Sequence, residues 1–369
     1  MDKTGDTKRV SLSPRGFMWL MINTLVSLSV FLNPSPTVEV SRQYAWISVL
    51  IGTLQALMVG YIVMKLGLRY PDKTVVEYSQ EIVGKFAGKV VGLVFILTYL
   101  SIVVIVLREF TLPFQSFVTV NVPLIVILIL TMVLILYAVL KGLKTIGICS
   151  DVVMLFLVIF ILLLFIMPVK NINTLNIKPI IPHDIGMAVR GSFISASFLA
   201  EDIIALMIIP YVSDNKKLMK YNQTAILVSG ICLSLVVAME IMTMSCERVD
   251  STIFSTFMLL REAQLSQSME RLEAIAIAMW TGLVFIKLSI YFFITVDGLR
   301  QWLGLKDYKV IAYVLSPIVI FLAMLPENIS EVLVFPSRIW TPIVYPVVLF
   351  GLPLLLLIIS IIKESVVRR

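Results

Sequence analysis

The stretch "GSFISASFLAEDIIALMIIPYV" (191–212) decides how this chain is read. It is apolar and long enough to cross a bilayer, which takes about 20 residues. Yet Glu201 and Asp202 lie side by side near its middle. A charge at mid-helix costs roughly 2.5–3.5 kcal/mol on the insertion scale, and two ionised acids about twice that. On a continuous α-helix neighbouring side chains point about 100° apart, so both acids do not easily face one polar cavity. A break relieves the conflict. If the chain unwinds near Ser195–Leu199, the acids fall in the first turn of a second half-helix. Free N–H groups and the helix dipole favour negative charge there, with Ser195 or Ser197 placed to cap. Pro210 then limits the second half-helix to two or three turns. The alternative is an unbroken helix shifted so that the acids meet water at one end. Counted from Gly186, Glu201 lies about 22 Å along a 30 Å core.

The rest of the 369 residues fits a membrane setting. Hydrophobic residues make up 59% and charged residues 14%, with a mean hydropathy of +1.00. A soluble domain averages about 25% charged residues, so an integral membrane protein is expected. Ten apolar runs are long enough to span: 14–41, 44–66, 89–118, 122–140, 146–168, 187–212, 222–245, 270–299, 310–326 and 339–362. Runs this long exclude a β-barrel, whose strands alternate over about 10 residues. The polar, basic start "MDKTGDTKRVSLSPR" and the long apolar run after it do not read as a cleavable signal peptide. The expected organisation is a cytoplasmic tail over 1–13, one ten-helix membrane domain over 14–363, and a cytoplasmic tail over 364–369.

The net charge of +7 follows membrane orientation. Ten spans with a cytoplasmic N-terminus put 20 of the 30 Lys and Arg residues on the inner side. That is the positive-inside asymmetry, and it needs no nucleic acid. Cys149, Cys232 and Cys246 fall in or beside different spans and read as packing residues without a disulfide or metal pattern. His183 reads as a solvated loop residue. No phosphate-binding glycine loop, metal-ligand cluster or nucleophile–base arrangement stands out, so neither an enzyme nor a cofactor is expected.

Ten spans divide as five plus five. Transporters built from inverted repeats carry a discontinuous helix at the same place in each half, with the site between the breaks. The first span, "FMWLMINTLVSLSVFLNPSP", is interrupted by Asn23, Ser27 and Ser29 and followed by Pro34 and Pro36. The sixth is the opening stretch. These are the two most polar-interrupted spans, in matching positions, although the halves show no visible sequence self-similarity. The expected fold is therefore all-α, with ten transmembrane helices in a broken-helix 5+5 inverted-repeat arrangement and discontinuous helices one and six. Residues 251–264, with Ile253, Phe254, Phe257 and Leu260 at helical spacing, read as an amphipathic helix lying on the outer membrane surface. The Asn- and Pro-rich loop 169–186 reads as irregular.

Lys287, in "LVFIKLSIYFF", is the other deep charge. Deep ionisable residues face the bundle interior and pair, and Glu201 or Asp202 is its natural partner. It reads equally well as a coupling charge or as half of a fixed ion pair joining spans six and eight. Glu240 lies nearer the outer end, where it could serve a vestibule. Arg108 and Glu109 read as interfacial, and so does Asp151. A cavity lined by half-helix N–H groups, bare carbonyls and acids suits a small zwitterion such as an amino acid. Its expected lining is Ser27, Ser29, Tyr99, Ser195, Ser197, Phe198, Leu199, Ser289 and Tyr291. The expected charge network is Glu201, Asp202, Lys287 and Glu240.

Several stretches resemble the spore-germination permease family, the B subunits of germinant receptors. They are "YPDKTVVEYSQEIVGKFAGKVVG" (70–92), "MERLEAIAIAMW" (269–280), "FIKLSIYFF" with "GLRQWLGLKDYK" (285–309), and the acid, apolar and Pro210-Tyr211 sequence of span six. The resemblance implies the amino acid–polyamine–organocation superfamily and its broken-helix fold. It also implies a place in the inner spore membrane beside an A subunit and a lipoprotein C subunit. It moves the expected role from transport to sensing of a small nutrient. The alternatives are a proton-coupled amino acid transporter and a structural or conducting subunit with no ligand of its own. Related first spans often carry Gly at the break, where this chain has Ser27 and Ser29.

Overall fold

The computed structural model describes residues 12–113, 122–180, 184–262, 267–326, 331–332 and 336–367. His183 lies outside them. Among the described residues, nine helices are long and apolar enough to cross a membrane, and a tenth of 17 residues is shorter. In chain order, span one is Pro14–Leu32, two Ala45–Gly67, three Lys85–Leu112, four Leu124–Lys141 and five Leu143–Asn171. Span six is Ile185–Tyr211, seven Leu218–Met244, eight Ile275–Leu303, nine Tyr308–Met324 and ten Arg338–Ser365. Span nine is about 26 Å long, at the lower end of what a bilayer core needs. The described residues contain no strand, and one isolated bridge joins Leu12 to Val212.

The helix ends follow local chemistry. Ser13 caps span one by accepting from Gly16 N at 2.9 Å, and Pro14 sits where no N–H is needed. Asp184 and Asp307 cap spans six and nine in the same way. Thr74 and Glu77 form a capping box that starts Val75–Val83, a short helix before span three. Gly142 alone separates spans four and five. Its φ of +88° is one that side-chain-bearing residues rarely adopt.

Burial sorts the spans. In the most apolar windows of spans one and six, 83% of residues are buried, against 39% in four and five and 33% in ten. Spans one and six are thus the axis, and four, five and ten face lipid. Span two packs on six and seven, span one on five and seven, and span eight on three and five. The contact between two and six is close: a Cβ on Gly52 would lie 2.7 Å from the Ser192 carbonyl oxygen and 2.9 Å from Ala196 N.

Two regions depart from the sequence reading. The run 14–41 is not one span. Span one ends at Leu32, and Pro34–Ser41 leads through a turn at Arg42–Tyr44 into span two. Residues 251–264 do not lie on the membrane surface either. Two short helices, Cys246–Asp250 and Ser255–Glu262, fold inward, with Phe254, Phe257 and Leu260 buried in the core. Phe257 meets Phe31 of span one at 4.4 Å and Trp280 of span eight at 5.2 Å. The apolar face found protein rather than lipid, because the second part of span one leaves an aromatic surface for it. In the loop after span five, Asn173 N and Asn176 Nδ2 donate to the Met242 carbonyl.

Candidate functional site

Span six is interrupted, though not where or how the sequence suggested. Its α-helix runs unbroken through Ser195 to Leu199, then tightens to a 3₁₀ turn over Ala200–Ile204 that contains both acids. A short α-turn, Ala205–Ile208, and a second 3₁₀ turn at Pro210 follow. The break is a change of pitch rather than an unwinding, so the acids do not sit at a fresh helix N-terminus. Ser195 and Ser197 do not cap it. The Ser195 hydroxyl donates to Asn33 Oδ1 at 3.2 Å, and that of Ser197 to the Ile194 carbonyl at 2.7 Å, within 3.1 Å of Thr341 Oγ1.

Tyrosines compensate the altered backbone. Tyr291 donates to the Glu201 carbonyl at 2.9 Å and Tyr99 to the Ile203 carbonyl at 3.3 Å. Both rings are fully buried. Carbonyls displaced by a pitch change inside a membrane protein need such donors, since no bulk water is at hand.

A 3₁₀ turn rotates successive residues by about 120°, and the two acids diverge. Glu201 Oε2 lies 2.6 Å from Lys287 Nζ. Lys287 is 0% exposed and Glu201 6%. The ammonium sits off the line of a hydrogen bond and has no hydrogen-bond partner among the described residues. Asp202 turns toward spans two and seven, where Asn222 Nδ2 donates to its Oδ2 at 2.8 Å. Gly60 makes room there, since a Cβ would come within 3.1 Å of the same oxygen. The two acids therefore do not share one hollow, contrary to the sequence reading.

Span one breaks at Ser27–Leu28, between the α-segments Pro14–Val26 and Ser29–Leu32. Trp280 Nε1 donates to the Ser27 carbonyl at 2.9 Å, and the Ser29 hydroxyl to the Leu25 carbonyl at 2.6 Å. The Ser27 hydroxyl and the Asn23 side-chain amide are buried without hydrogen-bond partners among the described residues.

Between the two interruptions lies a cavity of about 30 Å³, lined by Leu28, Ile105, Glu109, Phe198, Glu201 and Trp340, among others. It has room for a water or two and is smaller than any amino acid. On the side shared by residue 12 and the C-terminal helix, Leu12 N donates to the Tyr211 carbonyl at 2.7 Å. There Tyr211, Arg300 and Gln301 all donate to the Asp297 carboxylate at 2.7–2.8 Å. On the far side, the Thr256 hydroxyl lies 2.6 Å from both the Val30 carbonyl and Glu240 Oε1, and Ser255 donates to Glu240 Oε2 at 2.6 Å. Glu240 thus clamps the inward-folded helix and lines no open vestibule.

Of the expected lining residues, the structure gathers Phe198 and Glu201 at the cavity, with Lys287 and Tyr291 bonded to Glu201. Tyr99 holds the same turn of span six, and Ser27 joins through Trp280. Ser29, Ser195 and Ser197 are committed elsewhere. Leu199 packs with Leu25, Ala56 and Ile226 in a separate cluster. Ser289 is buried, and its hydroxyl has no hydrogen-bond partner among the described residues.

Sequence reasoning missed Glu109, Trp280, Trp340 and Asn222. Glu109 was read as interfacial, yet it is 4% exposed and faces the cavity. Spacing held the signal: Tyr99, Ile102, Val106 and Glu109 recur at i, i+3, i+7 and i+10, on one helix face. Trp280, Lys287 and Tyr291 likewise share a face at i, i+7 and i+11. No local signal marks Asn222 or Trp340.

The chain is similar to known proteins along most of its length. The family described as spore germination protein matches residues 11–332. Spore germination protein KB of Bacillus subtilis (strain 168) is 26% identical over 358 residues, covering 93% of this chain and 94% of the relative. Spore germination protein YndE of the same organism is 26% identical over 348 residues, covering 92% and 94%. Spore germination protein A2, also from that strain, is 20% identical over 353 residues, covering 95% of each. Among solved structures, a substrate-bound, outward-open Na+-coupled sialic acid symporter superposes with a TM-score of 0.63 at 11% identity. The match covers 92% of this chain and 78% of the symporter. At that identity the likeness speaks to fold alone: all-α, membrane-embedded and transporter-like. The chain belongs to the spore germination permease family.

Proposed function

We propose that this chain is the membrane subunit of a germinant receptor, and that a small nutrient bearing an ammonium group binds between the interruptions of spans one and six. The observation that carries the reading is the charge arrangement. Glu201 and Glu109 face one small cavity, and Lys287 lies at ion-pair distance from Glu201. Two acidic side chains at the cavity share the cation Lys287, and an amino acid's ammonium would complement the second acid. The cavity is far smaller than an amino acid, so binding requires Trp340 or Phe198 to move. A ligand shifts that equilibrium only by its differential affinity for the open and closed arrangements.

In this reading the side carrying residue 12 is cytoplasmic, from the positive-inside asymmetry. The protein sits in the inner spore membrane, and an A subunit and a lipoprotein C subunit read the movement. Phe198, Glu201, Lys287, Glu109 and Trp340 contact or frame the ligand, while Tyr99, Tyr291 and Trp280 position the broken backbone. The transporter-like fold supports a second reading, carriage of the same solute across the membrane.

The test is a panel of amino acids, nucleosides and sugars screened by thermal shift on purified protein, followed by uptake of any hit into proteoliposomes. Stabilisation by an amino-group compound without uptake supports reception, and saturable counterflow supports transport. A panel that leaves the melting temperature unchanged removes the ligand site and leaves a structural or conducting subunit.

A further inference from the structure

Among the described residues, two that are not glycine have a positive φ, Arg42 and Ser245, and both lie on the far side. Ser245, at φ 69° and ψ 161°, occupies backbone space that is essentially confined to glycine. Arg42, at φ 49° and ψ −133°, lies outside the regions open to residues with a Cβ. The two bracket one short helix, Cys246–Asp250. Ser245 joins that helix to span seven, which ends at Met244. Arg42 grips its other end, with Nη1 2.8 Å from Asp250 Oδ2. The Ser35 hydroxyl adds a bond to the Asp250 carbonyl at 3.2 Å.

Such conformations persist only where the surrounding structure holds them, as at clamps and switches. Ser245 is held by its N–H, which donates to the Ile241 carbonyl at 3.0 Å, and by its hydroxyl, which donates to Glu247 Oε2 at 2.8 Å. The Arg42 N–H donates to the Val38 carbonyl. Beyond Asp250 the chain enters Ser255–Glu262, the inward-folded helix that meets Glu240 and the Val30 carbonyl. The segment is thus anchored twice. Buried hydroxyls and rings hold it deep in the bundle, and a partly exposed ion pair holds it at the surface.

We infer that Ser245 and Arg42 form the sprung hinge of a far-side lid, Cys246–Glu262, and that the Arg42–Asp250 ion pair is its catch. The strain is present while the lid is folded in, so it favours the lifted arrangement. Glycine at 245 would give the same turn without strain. The side chains of Arg42 and Asp250 are 44% and 26% exposed. Salt on that side therefore screens the catch, and the lid answers to ionic strength.

The test is the labelling rate of the buried position Ser255, converted by Ser255→Cys, in the full chain without ligand. Labelling with a soluble maleimide is followed at that one cysteine by peptide mass spectrometry. Because no ligand is present, the outcome is independent of what the hollow between spans one and six binds. Adding Ser245→Gly is expected to slow labelling about tenfold, since the folded-in lid loses its strain. A serine that serves only as a turn residue gives the opposite sign, because glycine loosens the chain. Arg42→Gln is expected to speed labelling about two- to fivefold. Raising sodium chloride from about 0.05 to 0.5 M should speed the parent but not Arg42→Gln. If Arg42→Gln does not fold, Asp250→Asn removes the same pair. Labelling unchanged or faster in Ser245→Gly, or unchanged when the ion pair is removed, overturns the assignment.

Discussion

Replacing Lys287 with Met removes the one cation held against Glu201 and leaves a carboxylate inside the bundle. At 2.6 Å the gross attraction of the pair is about 6 kcal/mol for an effective dielectric constant near 20. Much of that is offset by the cost of taking both charges out of water. The single substitution is a different quantity, since it strands Glu201, and breaking one side of a buried pair costs about 3–5 kcal/mol. At roughly 2 °C per kcal/mol for a large helical domain, the melting temperature should fall by about 6–10 °C. The informative comparison is the double variant Glu201→Gln/Lys287→Met, which removes both charges at nearly constant volume. It is expected to melt above Lys287→Met, with a coupling of about 2–4 kcal/mol in a double-mutant cycle. The assay is thermal unfolding in a fixed detergent, with all four proteins checked for monodispersity. Strict additivity would falsify the claim that Glu201 and Lys287 stabilise each other. A double variant less stable than either single one would contradict it too.

Other substitutions probe the supports of the site. Tyr291→Phe and Tyr99→Phe each remove one hydroxyl from a carbonyl of the 3₁₀ turn and should cost about 0.5–1.5 kcal/mol apiece. Faster amide exchange confined to residues 200–204 is the expected signature, and uniform acceleration along span six argues against it. Gly52→Ala pushes against span six backbone rather than a flexible side chain and should cost about 1–3 kcal/mol, read as a lower melting temperature. Thr256→Val keeps the shape but removes the bond to Val30 or Glu240. Thiol labelling of a cysteine placed at Leu28 should then speed up severalfold, and an unchanged rate sinks the idea that this hydroxyl helps hold the far-side helices closed.

The sequence showed the fold more clearly than the site, for a physical reason. The membrane spans, the interruptions of spans one and six, and the pairing of Lys287 with an acid of span six follow from the cost of charge and unpaired backbone in hydrocarbon, which acts on any single helix. The form of the break in span six did not follow. An unwound segment and a 3₁₀ turn both relieve the same strain, and only Tyr99 and Tyr291, on other spans, select the second. Asp202 turned away from Glu201 because Gly60 and Asn222 offered a separate polar niche, a fact of tertiary contact. The helix over 251–264 showed its apolar face in the sequence. Whether that face met lipid or Phe31 and Trp280 depended on a surface made by other spans. Glu109 and Trp280 were within reach, because helical spacing places them on the faces of Tyr99 and Lys287.

The central claim is that a ligand occupies an enlarged form of the hollow between spans one and six. Equilibrium binding of a radiolabelled panel hit to Phe198→Trp, whose larger ring fills that hollow, tests it most directly. Affinity is predicted to fall at least tenfold while the protein stays folded. Wild-type affinity in Phe198→Trp would place the ligand elsewhere and contradict the account.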